Sequence, residues 1–326
     1  MLRHNETIAL IIPTGIGADI GGYAGDGGKI ARMFARYFNV ITHPNVVNGG
    51  ILSAVTEDIL YTEGYILDEF FKGNLSLVPL DTYDKNPIGV IFDKSIPDDI
   101  LNVHINTINA MKEVKGLDIP YFEITKEDIG IEFYIKNNIS TGIVKNEKTL
   151  LHSAKSLINK GIKALGVVCY FKDDITNDDY EAGIGVDPIG GIEAVISHYL
   201  SKELMIPVAH SPAFSEIEIT TNLSNRKVAS ENISSTYLPC ILEGLNRAPF
   251  IDVENKKGIK NKDIKALIVP YRALGSPAVL AALENNIKIL TVKNETKTSI
   301  GCLELGADDI MEYNSYEALL NALIKG

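Results

Sequence analysis

Apolar residues along this chain fall into two alternating patterns: short continuous runs and stretches at helical spacing. The first run, Thr7 to Pro13, reads as a buried strand, and seven glycines follow between Pro13 and Gly28. A helix is predicted from about Gly28 to Phe38, with Ile30, Met33, Phe34 and Phe38 on one face. "NVITHPNVVNGG" reads as a short buried strand ending in a polar turn around His43. "YILDEFFKG" is a helix closed by Gly73. "IGVIFD" over 88–93 is a further strand, with an amphipathic helix after it through Gly116. Asn146 opens a helix carrying Leu150, Leu151, Ala154, Leu157 and Ile158. Gly161 ends it, and "KALGVVCYF" is a continuous buried strand. "GIGVDPIGGIEAVISHYL" is a second glycine-rich entry into a helix. "IPVA" then leads to His210 at a predicted strand end, with a turn at Ser211-Pro212. Region 215–262 is polar and irregular apart from a helix near "LPCILEGL", which leaves room for an insertion or a β excursion. The C-terminal part alternates strand "KALIVP", turn "YRALGSP", helix "AVLAALEN", strand "IKILTV" and a final helix over about 314–324. "IALIIPTGIGADIGG" and "KALIVPYRALGSPAV" share one layout, a buried strand ending in Pro and a glycine-bearing turn that opens a helix.

This alternation predicts an α/β fold with mainly parallel sheets flanked by helices in Rossmann-like layers. Two lobes, 1–145 and 146–326, are expected to enclose a cleft, with the chain free to cross between them. In open α/β sheets ligands lie beyond the carboxyl ends of the strands. Five polar or glycine-rich segments follow such ends here: 14–28, 42–50, 183–193, 271–277 and 293–298.

Composition narrows the function. The chain has 326 residues, 45% of them hydrophobic, and a net charge of -11, which disfavours a nucleic-acid partner. Three cysteines without C-x-x-C spacing point to a reduced, cytoplasmic setting. No stretch has the length of a membrane-spanning helix. "MLRHNETIALIIP" is interrupted by Glu6 and reads as a strand rather than a signal peptide.

The opening loop, Gly15-x-Gly17-x-x-x-Gly21-Gly22, misses the dinucleotide spacing by one position. It also lacks a P-loop ending, because Ile30 follows Lys29. No cofactor is predicted, and redox chemistry is disfavoured. Thr14, Gly15, Gly17, Gly21, Gly22 and Asp26 are the expected ligand contacts, against the alternative that the loop only packs. Asp19 and Asp26 would repel a phosphate unless a divalent metal bridged them, so a metal is left open. In the second loop, Gly190 and Gly191 approach the ligand. Asp187 before Pro188 is an ideal helix cap and also a catalytic candidate. Glu193 is placed as a general base. His198, about 140° round the helix from Glu193, reads as structural. His43 and His210 are the proton-transfer candidates, and Glu57, Glu63 and Asp187 could join them in a metal site. His4, His104 and His152 are bystanders. Arg247 and Arg272 are the cations available to clamp a carboxylate or phosphate. Asn45, Asn48, Ser211, Gly275, Ser276, Asn294 and Thr296 complete the expected ligand contacts. Cys169 and Cys302 raise a cofactor-independent racemase, although buried apolar cysteines explain both.

"IIPTGIGADIGGYAGD", "THPNVVNGG", "GVDPIGGIEAVISH", "AHSPAF", "TYLPCILEGLNRAP" and "ALGSPAVLAALENNIKILTVKNET" together resemble the signature stretches of one family. It is catalogued as Domain of Unknown Function family 3326 and found in bacteria and plant plastids. The resemblance spans nearly the whole chain, implies no activity, and does not involve the cysteines. The expectation is an enzyme acting by acid–base chemistry, as a lyase, isomerase or hydrolase, on a small anionic metabolite bearing a carboxylate or phosphate. The alternatives are a non-catalytic metabolite- or nucleotide-binding protein and, third, the racemase. Neither nucleic acid nor membrane is expected as a partner, and a homo-oligomer is compatible.

Overall fold

The computed structural model describes residues 4–325 apart from 24, 82, 138, 172–177, 185, 216, 218–222, 298, 299, 308 and 309. Ala24, Gly185 and Thr298, which belong to three of the predicted ligand loops, therefore lie outside the described residues.

Ten strands build two sheets: β1 (Thr7–Leu10), β2 (Asn39–Thr42), β3 (Ile59–Tyr61), β4 (Ile88–Phe92), β5 (Tyr121–Ile124), β6 (Ala164–Phe171), β7 (Val208–Phe214), β8 (Ile264–Pro270), β9 (Ile289–Val292) and β10 (Met311–Tyr313). A six-stranded sheet has the order β10-β9-β8-β1-β2-β3, and a four-stranded sheet the order β7-β6-β4-β5. Every pairing in both is parallel. Continuous apolar strands such as β1, β2 and β4 are buried along their length, as parallel sheets covered on both faces require. The two strands that shared one sequence layout, β1 and β8, are neighbours at the centre of the larger sheet.

The principal helices are α1 (Gly28–Phe34), α2 (Gly64–Phe71), α3 (Asp98–Lys115), α4 (Glu147–Asn159), α5 (Gly190–Leu204), α6 (Leu238–Arg247), α7 (Pro277–Glu284) and α8 (Tyr316–Lys325). Their ends follow local chemistry. In α3, Asp98 and Asp99 occupy the first turn, Lys112 and Lys115 the last, and Gly116 caps it in the left-handed region. Gly73 takes the same conformation after α2, as its position predicts.

The six-stranded sheet is assembled from both ends of the chain and the four-stranded sheet from its middle. A boundary at 145/146 is therefore corrected, since it would split β4 and β5 from β6 and β7 within one sheet. One cluster of buried side chains runs through both sheets, joining Ile8, Leu10 and Val40 to Val90, Phe92 and Val168. Helix α6 lies in that shared core, touching β3 on one side and β6 and β7 on the other. The expected cleft takes the form of a cavity between two sheets.

Within 215–262 the β excursion is a short strand, Phe250–Asp252, paired antiparallel with Ser76–Val78. An antiparallel hairpin, Ile131–Lys136 with Ile139–Val144, is not predicted by the hydrophobic pattern. It pins the start of α5: the Ser140 hydroxyl donates to the Pro188 carbonyl at 2.8 Å and accepts from the Gly191 N–H at 3.1 Å. A Cβ on Gly191 would run into the Ser140 carbonyl, so only glycine fits this approach. Gly191→Ala should accordingly lower stability by about 1–3 kcal/mol in urea unfolding. Gly166→Ala in β6, where a Cβ meets Ile241 at an ordinary 3.5 Å, should be tolerated.

Candidate functional site

A cavity of about 430 Å³ opens beyond the carboxyl ends of β2 and β3, against α5, β7 and the start of α6. His43 follows β2, and Glu63 and Gly64 follow β3. Glu193, Ser197 and His198 come from α5, His210 from β7, and Tyr237 and Cys240 from α6. His210 is not at a strand end as expected. β7 continues through Ser211 and Pro212 to Phe214, paired in register with β6, so the predicted turn is strand.

The ionisable groups form one connected set. His210 Nδ1 lies 3.1 Å from the Ser197 hydroxyl, which donates to Glu63 Oε1 at 3.3 Å. Glu63 Oε1 in turn pairs with His198 Nδ1 at 2.5 Å. On the other side of its ring, His210 Nε2 is 3.9 Å from Glu193 Oε2. The Ser197 hydroxyl also faces the Ala194 and Glu193 carbonyls at 3.2 and 3.4 Å, so the His210 contact is compatible with either ring tautomer; with the proton on Nδ1, Nε2 presents its lone pair toward Glu193. Glu193 is 8% exposed, and its Oε1 has no hydrogen-bond partner. His43 Nε2 accepts the Ile12 N–H at 3.2 Å, so its neutral ring carries the proton on Nδ1.

Burial dominates the titration of these groups. It pulls His210 down to about 3 and His43 to about 4, with His198 adding repulsion in each case. Burial pushes Glu193 well above the usual carboxylate range, reinforced by Asp187 and Glu231. His198 moves the other way. Desolvation lowers it, but the hydrogen bond and charge of Glu63, with Asp68, leave it raised. Gly64 makes that pair possible, since a Cβ there would stand 2.5 Å from His198 Cε1.

The structure brings Thr14, His43, Asn45, Asn48, Asp187, Gly190, Glu193 and His210 to the cavity, and leaves the other predicted contacts outside its lining. Asp187 is a helix cap, its Oδ1 accepting the Ile189 and Gly190 N–H groups at 3.0 Å each. Gly15, Gly17, Gly21, Gly22 and Asp26 do not line this cavity, and Gly21, Gly22 and Asp26 pack within their own loop. A Cβ on Gly21 would meet Ile12 at 2.5 Å, and one on Gly22 would collide with the Ala18 carbonyl. Asp26 accepts the Gly21 N–H at 2.6 Å and the Tyr23 N–H at 3.4 Å, so the loop serves its own amides. Asn294 belongs to the same closure: it accepts the Ile20 N–H at 2.9 Å and donates to the Ile20 carbonyl at 2.8 Å. Lys297 N–H donates to the Ile16 carbonyl and Asp19 N–H to the Glu295 carbonyl, filling the crevice beyond β1 and β8 with chain. Thr296 lies in this closing segment, and Gly191 is held against the hairpin. Ser211 is 1% exposed, and Ser276 caps α7 by accepting the Val279 N–H at 3.4 Å. Gly275 is backed by Ile300.

Arg247 and Arg272 do not reach the cavity. Its described lining holds Glu63, Glu181, Asp187, Glu193 and Glu231 with four histidines, and neither lysine nor arginine. The expected cationic clamp is therefore absent from the described wall. Among the described residues no three His, Cys, Asp or Glu side chains are grouped to hold a metal ion. Cys169 and Cys302 sit in different apolar clusters, and neither lines the cavity, so the two-thiol racemase geometry is not formed.

Ser197 and Tyr237 carry no sequence signal, His198 reads as structural and His104 as a bystander, while Glu63 stands in the sequence only as a metal-ligand candidate beside His43, His210 and Asp187. His198 was tested only against Glu193 on its own helix, whereas its partner comes from another element. A glycine directly after Glu63 was the available signal. His104 lines the cavity through a bond between its Nδ1 and the Thr236 hydroxyl at 2.9 Å.

Two titrations check these contacts. A raised His198 contributes stability that is present below about pH 6.5 and lost as pH rises through its folded value. Glu63→Gln should drop the His198 pKa below that of a free imidazole in an NMR titration and reverse the sign of this pH dependence. Asp26 is raised by burial to about 6, against which the Gly21 and Tyr23 amides act. Its stability contribution is full below about pH 4 and is lost as pH rises through 6. Asp26→Asn keeps both accepted bonds and should raise Tm at neutral pH, with the gain vanishing below about pH 4.

The profile of a family described as "Protein of unknown function (DUF3326)" matches residues 7–324. A protein of Synechococcus sp. named an uncharacterised lipoprotein is 36% identical over 315 residues, which span 94% of this chain and 87% of the relative. No solved structure matches the chain. With its motifs and its full-length match in agreement, the chain belongs to the DUF3326 family.

Proposed function

We propose that the protein is an acid–base enzyme, a lyase, isomerase or hydrolase, acting on a small polar metabolite in this cavity. The observation that carries the reading is the Glu193–His210 pair, 3.9 Å apart, with environments that push their pKa values in opposite directions. Groups separated in this way divide acid and base roles. Glu193 holds the proton as general acid, and His210 Nε2 presents the lone pair of a general base, the two titrating as a unit. Ser197, which also reaches the Glu63–His198 ion pair, holds the His210 ring from behind, as an orienting partner does in nucleophile–base systems. His43 Nδ1–H is a neutral donor suited to a developing negative charge. A cavity of about 430 Å³ is within the range of small-molecule sites.

The three cysteines are buried, which suits a reducing compartment, and we place the protein in the cytoplasm. The Synechococcus relative bears the name lipoprotein, so cell fractionation is the direct check on that placement.

The test is incubation of the protein with a metabolite extract, followed by mass spectrometry for compounds consumed and formed. His210→Asn and Glu193→Gln should each slow turnover by about 10²–10⁴-fold. Unchanged turnover in both variants, or a metabolite retained but never converted, would overturn the reading.

A further inference from the structure

We infer that the metabolite carries an amine, which docks against Glu193. The inference rests on the acid–base reading of the same cavity and names its substrate class. Two cavity-lining residues have a buried oxygen without a hydrogen-bond partner: Glu193, through Oε1, and Asn48, through Oδ1. Both are acceptor atoms, whereas the third unpartnered atom of the wall, His198 Nδ1, stands against the Glu63 carboxylate. The Asn48 amide nitrogen is already committed to the Tyr61 hydroxyl at 2.9 Å, which leaves the oxygen as its free end. Buried acceptors of this kind are costly unless a ligand supplies N–H or O–H groups.

Charge separates amines from hydroxyls and from acids. The described wall carries five carboxylates and no lysine or arginine. Of its charges, the Glu63 carboxylate is matched by His198 at 2.5 Å, Glu231 accepts the Tyr180 hydroxyl at 2.8 Å, and Asp187 is held by two backbone N–H groups. Among these four, Glu193 has a fully buried oxygen that lacks a hydrogen-bond partner. A carboxylate or phosphate brought here would add negative charge to a low-dielectric wall that is already acidic. An alcohol would satisfy the acceptors without balancing the charge. An ammonium group does both: Glu193 gives up its own proton to solvent as the cation binds, and the N–H it then accepts is the proton available to it as an acid. His210 Nε2 faces the other oxygen of the same carboxylate, Oε2, at 3.9 Å.

Matched probes decide the matter: putrescine, butanediol and succinate, with the longer set hexamethylenediamine, hexanediol and adipate. Each is added to the whole chain at physiological ionic strength, which screens diffuse attraction to an acidic surface. The expected result is a Tm increase of several degrees with a diamine, little with the diols, and none with the diacids. Calorimetry should show at least tenfold weaker diamine binding in Glu193→Gln. Equal or larger shifts from a diol or diacid, no shift from either diamine, or full diamine affinity in Glu193→Gln would each overturn the inference. If the variant does not fold, the wild-type order of the three classes carries the test alone. Failure of the catalytic reading is distinguishable, since it shows as diamine binding without turnover of any metabolite. Failure of the amine shows as His210-dependent turnover of a compound that lacks one.

Discussion

The packing of α6 between the two parallel sheets is the constraint on which the remaining structure depends. Leu238, Ile241, Leu242 and Leu245 are buried, and the helix touches β3 of the larger sheet and β6 and β7 of the smaller. Gly244 sets the spacing on one side, because a Cβ there would meet the Tyr61 ring at 2.5 Å. Tyr61 is itself buried, and its hydroxyl accepts from Asn48. Interiors packed at crystal-like density do not deform continuously, so this helix fixes the separation of the sheets. The same helix begins at the cavity with Tyr237 and Cys240. The distance between His43, from one sheet, and His210, from the other, is thus inherited from an apolar contact that involves neither.

The placement of the cavity departs from the usual rule for doubly wound sheets in one respect. The strand order of the larger sheet reverses between β1 and β8, and a ligand is expected in the crevice there. That crevice is occupied by the chain's own glycine loop, closed by Asn294 and the backbone of 295–297. Glycine permits close approach of backbone to something, and here that something is Ile12, Ala18 and Asn48 rather than a ligand. The site is displaced along the sheet, to the ends of β2 and β3, where α5 and β7 face it.

Much of the architecture was legible from the chain, because continuous apolar runs and helical spacing report directly on parallel strands and covering helices. His43, Asp187, Glu193 and His210 could be picked out because each adjoins such a run. The hairpin at 131–144 escaped notice because its strands alternate weakly and expose Tyr134, Ile135 and Ile143. Glu63 and His198 were separable only in three dimensions: they come from segments far apart in sequence and meet because Gly64 has no side chain. Arg247 and Arg272 misled in the opposite sense. A cation in a turn or helix end suggests an anion site, yet such residues are as often solvated, and sequence carries no sign of which way they face.

The two-ended construction of the larger sheet bears on how the polypeptide comes together during synthesis. β1, β2 and β3 are made first, but β8, which pairs with β1, begins only at Ile264. The four strands of the smaller sheet are all complete by Phe214, so that sheet has its full complement while β1 still presents an open edge. An unpaired apolar edge is a template for association with other chains. For this protein the interval between translation of β3 and of β8 is therefore the window of greatest exposure. A truncation that removes the last quarter of the chain leaves the first-made strand without one of its two neighbours.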